Sequence, residues 1–142
     1  MTEIKTQKNN YKSESQVKKK STQSKISAET ITIDATEKKI GRIATEASTI
    51  LLGKNTPSFA KNITASVKVK VLNASKVSLT EKKKDGKVYT RYSGYPAGLK
   101  RETLRSLIEK KGYSEAIRKA VYGMLPGNKL RAKRMKNLIV SE

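Results

Sequence analysis

Two rhythms of apolar residues alternate along this chain. Ile31 and Ile33 flank the polar Thr32 and precede Asp34, a period of two that predicts a short strand. Ile40, Ile43, Ala44, Ala47, Ile50 and Leu51 recur at helical steps and predict a helix with one apolar face, with Gly53 as its stop. Val67, Val69 and Val71 alternate with Lys68 and Lys70 as a second strand. Asn73–Lys76 reads as a turn or a single helical turn leading into Val77 and Leu79. Lys82–Gly86 reads as a charged loop turning at Asp85-Gly86, and Val88–Tyr92 as a third strand. After a turn at Gly94–Gly98, Thr103 can cap a helix carrying Leu104, Leu107 and Ile108 that ends near Gly112. Ser114 can cap the next, with Ile117, Ala120, Val121 and Met124 on one face. Asn128–Leu138 predicts a shorter basic helix, and Ile139-Val140 a final edge strand. Strand, helix and strand in this order predict one α/β layered domain with a partly parallel sheet.

The first 29 residues break both rhythms. Met1–Glu29 is rich in Lys, Ser, Thr, Gln and Asn, and its apolar residues, Ile4, Tyr11, Val17 and Ile26, stand isolated. Such a segment cannot bury enough surface to offset the entropy of ordering, so it is expected to be a disordered basic tail ahead of a single domain at 30–142. Two roles stay open for it: a solvated tail, or a basic arm that orders along RNA phosphates.

Charge then narrows the partner. The 142 residues carry 32 Lys+Arg against 12 Asp+Glu, a formal net charge of +20. That excess repels itself unless a polyanion neutralises it. An anionic membrane is a poor fit, because Phe59 is the only Phe, Trp is absent, and no segment opposes a basic face with bulky apolar residues. Nucleic acid is the favoured partner. The chain contains no Cys and no His, which removes thiol chemistry and the commonest general base and metal ligand. The few acids are scattered, so an enzyme is not expected. Asp34 before Gly41-Arg42 resembles a nucleotide-binding turn only faintly, since one glycine is no dinucleotide fingerprint.

Three segments carry candidate chemistry. Lys82, Lys83, Lys84 and Lys87, continuing into Arg91, would set several ammonium groups beside one stretch of phosphates, each neutralised phosphate releasing counterions. The plainer alternative is a merely soluble hairpin. Arg91 to Arg101 places Ser93, Gly94, Tyr95 and Lys100 in a loop shaped by two glycines and a proline. There tyrosine can stack on an unpaired base and Arg can pair with phosphate, or Tyr92 and Tyr95 simply pack into the domain edge. Gly123 and Pro126 stop one helix, and Asn128 can start another whose free amides would face a phosphate, ringed by Lys129, Arg131, Lys133, Arg134 and Lys136.

These segments resemble a known family. Ile33-Asp34-Ala35-Thr36 with Ile40-Gly41-Arg42-Ile43-Ala44 is similar to the opening of the universal large-subunit ribosomal protein L13 family. Asn73-Ala74-Ser75-Lys76-Val77, Lys87 through Lys100, and Ala120 through Pro126 followed by Asn128-Lys129-Leu130 resemble its later blocks, in order, across nearly all of Thr30–Val140. The resemblance implies a three-layer α/β/α domain around a four-stranded, mainly parallel or mixed sheet. It implies binding to 23S rRNA, neighbouring large-subunit proteins as partners, an early role in assembly of the 50S subunit, and a cytoplasmic, ribosomal location. It also implies no catalysis, no cofactor, no small-molecule substrate and no membrane. The family's RNA-contacting character would transfer to Lys87, Arg91, Ser93, Gly94, Tyr95 and Lys100, and to Gly123, Lys129 and Arg134. Three departures stand out: Thr30-Ile31 in place of an aromatic start, Tyr92 where His is common, and no polar, His-containing extension after Glu142. An RNA-binding regulator outside the ribosome, for example of its own messenger, would use the same surface and is the rival expectation.

Overall fold

A computed structural model describes residues 29–57 and 59–142, so the tail expectation at Met1–Glu29 lies outside the described residues except for Glu29 itself. In chain order the elements are β1 (Thr30–Asp34), α1 (Ile40–Leu52), β2 (Lys68–Leu72), a single 3₁₀ turn (Ala74–Lys76) and α2 (Glu81–Gly86). Then come β3 (Val88–Tyr92), β4 (Leu99–Thr103), α3 (Leu104–Met124), α4 (Leu130–Lys136) and β5 (Leu138–Val140).

β1, β2 and β5 form a parallel sheet in that order. Ile31 and Ile33 stand opposite Val69 and Val71, which stand opposite Leu138 and Val140, so the alternating apolar positions of three strands align as one face. The other face carries Thr32, Lys70 and Ile139 in one row, with Thr30 and Lys68 beside them, all exposed. Strands that advance in one direction across a sheet, each joined by a right-handed crossover, put their connecting helices on the same side. The packing agrees. α1 buries Ile40, Ile43, Ala44, Ala47, Ile50 and Leu51 and lies against both β2 and α3. α3 buries Leu104, Leu107, Ala116, Ile117 and Val121 and also touches β5.

The expected mixed α/β class holds, and the expected four-stranded sheet is not formed among the described residues. The parallel sheet has three strands, and helices cover one face of it. β3 and β4 form a separate antiparallel pair, and Val77–Leu79 contributes only an isolated parallel bridge, Ser78 to Lys39. β4 replaces a stretch expected as turn and helix start. Leu99–Thr103 shows no apolar alternation because nearly all of it is exposed, and its strand state comes from pairing with β3.

Two local devices finish the frame. Thr103 caps α3 as expected, its hydroxyl accepting from the Ser106 amide at 3.3 Å. At Gly112 the helix breaks, with φ 76° and ψ 176°, a conformation open to glycine and strained for other residues. The amide at which the helix restarts, Ser114 N–H, donates to the Glu142 carboxylate at 3.2 Å. After β1, Asp34 accepts from Thr36 N–H at 3.1 Å, the Thr36 hydroxyl at 2.8 Å and the Asn73 amide at 3.0 Å. That is a turn clasp rather than a nucleotide contact.

The Asn73 hydrogen bond, backed by the Thr36 amide and hydroxyl, lowers the Asp34 pKa from 3.8 to about 2. A depressed carboxyl contributes stability that is complete above its unfolded pKa and is lost as pH falls through its folded one. Part of the acid destabilisation between about pH 4 and pH 2 should therefore vanish in Asp34→Asn, as read from melting temperature against pH.

Candidate nucleic-acid interface

The β3–β4 pair projects its charge from a backbone that register controls. Arg91 stands directly opposite Lys100, and Tyr89 opposite Glu102, while Thr90 faces Arg101 and Tyr92 faces Leu99. Like charges directly across a strand pair are destabilising when nothing else lies between them. α3 runs alongside and adds Lys110, Lys111 and Lys119, enclosing with the hairpin a groove of 600 Å³. Six cations, counting Arg91, Lys100 and Arg101, face only Glu102 and Glu115 there. Glu102 lies 3.6 Å from both Lys110 and Lys119 and so divides its charge between them. Lys119 also sits 4.6 Å from the centre of the Tyr89 ring, and Lys87 5.7 Å from it. Tyr89 is half-buried, and that burial pushes its hydroxyl pKa up.

The tip of the hairpin is held by its own backbone. Gly98 N–H donates to Tyr95 C=O at 3.0 Å, and Ser93 N–H to Gly98 C=O at 3.4 Å. A Cβ at Gly98 would overlap the Ser93 hydroxyl and approach the Tyr95 carbonyl to 2.9 Å, so only glycine lets the tip close. Ser93 and Gly94 are exposed, Gly94 in a left-handed conformation. Tyr92 and Tyr95 are 63 % and 74 % exposed, which settles the open alternative for these rings: neither packs into the domain edge.

The Lys82–Lys84 run is helical, where a loop was expected. Glu81-Lys82-Lys83-Lys84 is a run of good helix formers with an acid in the first turn, and those preferences outweigh the Asp-Gly turn signal. Arg105 pins this short helix to α3. Its Nε donates to Asp85 at 2.6 Å and its Nη2 reaches Glu81 at 3.0 Å. Lys84 pairs with Glu81 at 2.7 Å, and this hydrogen bond holds the Glu81 carboxyl below the usual range. Lys82 and Lys83 are exposed and form no ion pair among the described residues; Lys87 caps the helix and leads into β3.

The third segment divides. Lys129, Lys133 and Lys136 are exposed on and beside α4, and Gly123 is exposed in the last turn of α3. Arg131 turns inward to its own loop: Nε donates to Pro126 C=O at 3.0 Å, and the guanidinium lies 4.4 Å from the centre of the Tyr122 ring. Arg134 is buried. The helix expected from Asn128 starts at Leu130 and runs seven residues, and the Asn128 and Arg131 amides are already engaged, donating to Pro126 C=O at 2.9 Å and Asn128 C=O at 3.0 Å. Lys110, Lys111 and Lys119 were not anticipated from sequence, because the strand that makes them part of a groove carries no pattern of its own.

Among the described residues no helix is long and apolar enough to cross a membrane. The family model described as "Ribosomal protein L13" matches residues 28–142. The chain is 48% identical over 109 residues to the large ribosomal subunit protein uL13 of Natranaerobius thermophilus, covering 77% of this chain and 76% of that protein. It is 44% identical over 106 residues to the protein of that name from Geobacter sp. strain M21, covering 75% and 74%. The uL13 of Clostridioides difficile strain 630 is 44% identical over 108 residues, covering 76% and 75%.

If Arg105 holds the Lys82–Lys83 surface in place, Arg105→Ala should release α2 without unfolding the domain. Hydrogen exchange would then show lost amide protection at Lys83–Lys87, with the β2 amides unchanged. Retained protection at Lys83–Lys87 would show that the helix holds its position without these ion pairs.

Proposed function

Because this chain belongs to the ribosomal protein L13 family, we propose that it is a structural, non-catalytic constituent of the large ribosomal subunit in the cytoplasmic ribosome. In this reading it binds 23S rRNA and supports early assembly of the 50S subunit beside neighbouring ribosomal proteins. The observation that carries it at the level of side chains is the cationic groove, where Arg91 faces Lys100 across the strand pair and α3 supplies three more lysines. A surface that repels itself in the free protein gains on meeting a polyanion, because each phosphate neutralised there also releases counterions.

The sequence candidates other than the buried Arg134 take different parts in this reading. Arg91, Lys100 and Arg101 contact phosphates from the groove, and Lys82, Lys83, Lys87, Lys129, Lys133 and Lys136 do so from exposed positions around it and on α4. Ser93, Gly94 and Tyr95 present backbone and an exposed ring to unpaired nucleotides at the hairpin tip. Lys84 and Arg131 act through the conformation of α2 and of the Pro126–Arg131 loop, since each is already engaged within the protein. Gly123 leaves open space beside the end of α3 for a close backbone approach.

Salt titration tests this division. Replacing Lys82 and Lys83 with Ala should flatten the log–log salt dependence of binding to a 23S rRNA transcript by about 2, with little further change from Lys84→Ala. An unchanged slope removes α2 from the contact surface. Tyr95→Ala and Arg91→Ala should reduce co-sedimentation with 50S particles while leaving the melting temperature within a few degrees of the parent. Absence of the parent protein from 50S particles in a cell lysate would sink the ribosomal reading.

A further inference from the structure

Arg134 is the largest fully buried side chain among the described residues, with 1 % of its surface exposed. Its Nη2 reaches only the Ile63 carbonyl, at 3.4 Å, and its Nε and Nη1 have no hydrogen-bond partner among the described residues. No carboxylate pairs with it there. A guanidinium stays ionised in proteins. Burying it with two donors idle is therefore costly, unless a ligand completes the site.

The surroundings have the chemistry of such a ligand's host. Arg134 lines a 430 Å³ cleft between the irregular segment after α1 and the loop leading into α4. Lys54 and Lys61 line the same cleft from exposed positions, Asn128 adds an amide, and no acidic residue takes part. A planar guanidinium flanked by two mobile ammonium groups suits an oxyanion with several acceptors, and phosphate above all. Phe59 and Met124 form an apolar wall in a space larger than a phosphate alone requires. That favours a phosphate carrying its sugar over a free ion.

We propose that the Arg134 cleft is a binding site for one backbone phosphate of RNA, with the buried guanidinium as its floor and Lys54 and Lys61 as its rim. The occupant rests on the RNA-binding reading above, whereas the anion chemistry rests on the cleft itself. The site also ties RNA contact to the segment that precedes β2, because Arg134 and Asn137 hold its carbonyls at Ile63 and Ala65.

The test uses the full chain and two variants: Arg134→Met, which keeps the bulk and removes the charge, and Lys54→Ala and Lys61→Ala combined. Arg134→Met should flatten the salt slope of binding to a 23S rRNA transcript by about 1, while the free variant melts at the same temperature as the parent or higher. Inorganic phosphate, compared with chloride at equal ionic strength, should raise the parent's melting temperature and leave that of Arg134→Met unmoved. A lowered melting temperature with an unchanged slope would make Arg134 purely structural and overturn the proposal. Should Arg134→Met fail to fold, the double lysine variant decides, and an unchanged slope there overturns it. A phosphate response with no change of slope in any variant identifies a free-anion site and rejects the RNA occupant. Failure of the parent to bind RNA at all overturns the RNA-binding reading and this occupant together. An unaltered variant slope with parental binding intact and no phosphate response overturns only the cleft.

Discussion

The single-sided burial of β2 is the constraint on which this molecule depends. Val69 and Val71 lie at the middle of the parallel sheet, and each is closed over by helices that reach the strand from one direction only. Burying such side chains contributes about 1.5–3 kcal/mol each, and no comparable layer covers the opposite face among the described residues. Lys68 and Lys70 occupy that face because the same pleat that turns valine inward turns its neighbours out. The core and part of the cationic surface are thus two consequences of one alternation.

Positive charge is treated differently from place to place. Around α2 it is organised by acids, with Arg105, Lys84, Glu81 and Asp85 forming a small exposed network. Exposed pairs of this kind contribute little to global stability, but they fix an orientation. In the groove beside β3 and β4 the ratio reverses, and Glu102 serves as a spacer between lysines rather than a neutraliser. In the Arg134 cleft no acid is present at all. The progression from paired, to sparsely paired, to unpaired charge marks where the protein leaves neutralisation to something else.

Rigid placement of that charge comes from unglamorous contacts. The hairpin tip closes because Gly98 has no side chain, the α3 break is completed by Glu142, and Asp34 clasps the turn after β1. Each satisfies backbone groups that would otherwise compete for water, so the loops are shaped before any partner arrives. A pre-shaped surface loses less entropy on binding than a floppy one, which is the physical advantage of tight loops between basic residues.

The local pattern of the sequence was enough to identify β1, α1, β2, β3, the Thr103 cap and the break at Gly112, because each depends on residues close in the chain. Net charge together with the absence of His and Cys pointed to a polyanion partner, and the ordered blocks from Ile33 to Leu130 pointed to the family. Tertiary structure alone decided the rest. β4 is a strand through its pairing with β3, and Lys110, Lys111 and Lys119 become part of a groove only because that strand exists. The number of layers followed from strand order, which no local pattern encodes. Arg134 reads in sequence as one more exposed cation of a basic helix, and packing against the segment at Ile63 buried it. Periodicity reports which face of an element is apolar, whereas burial of a charge depends on what a distant part of the chain lays over it.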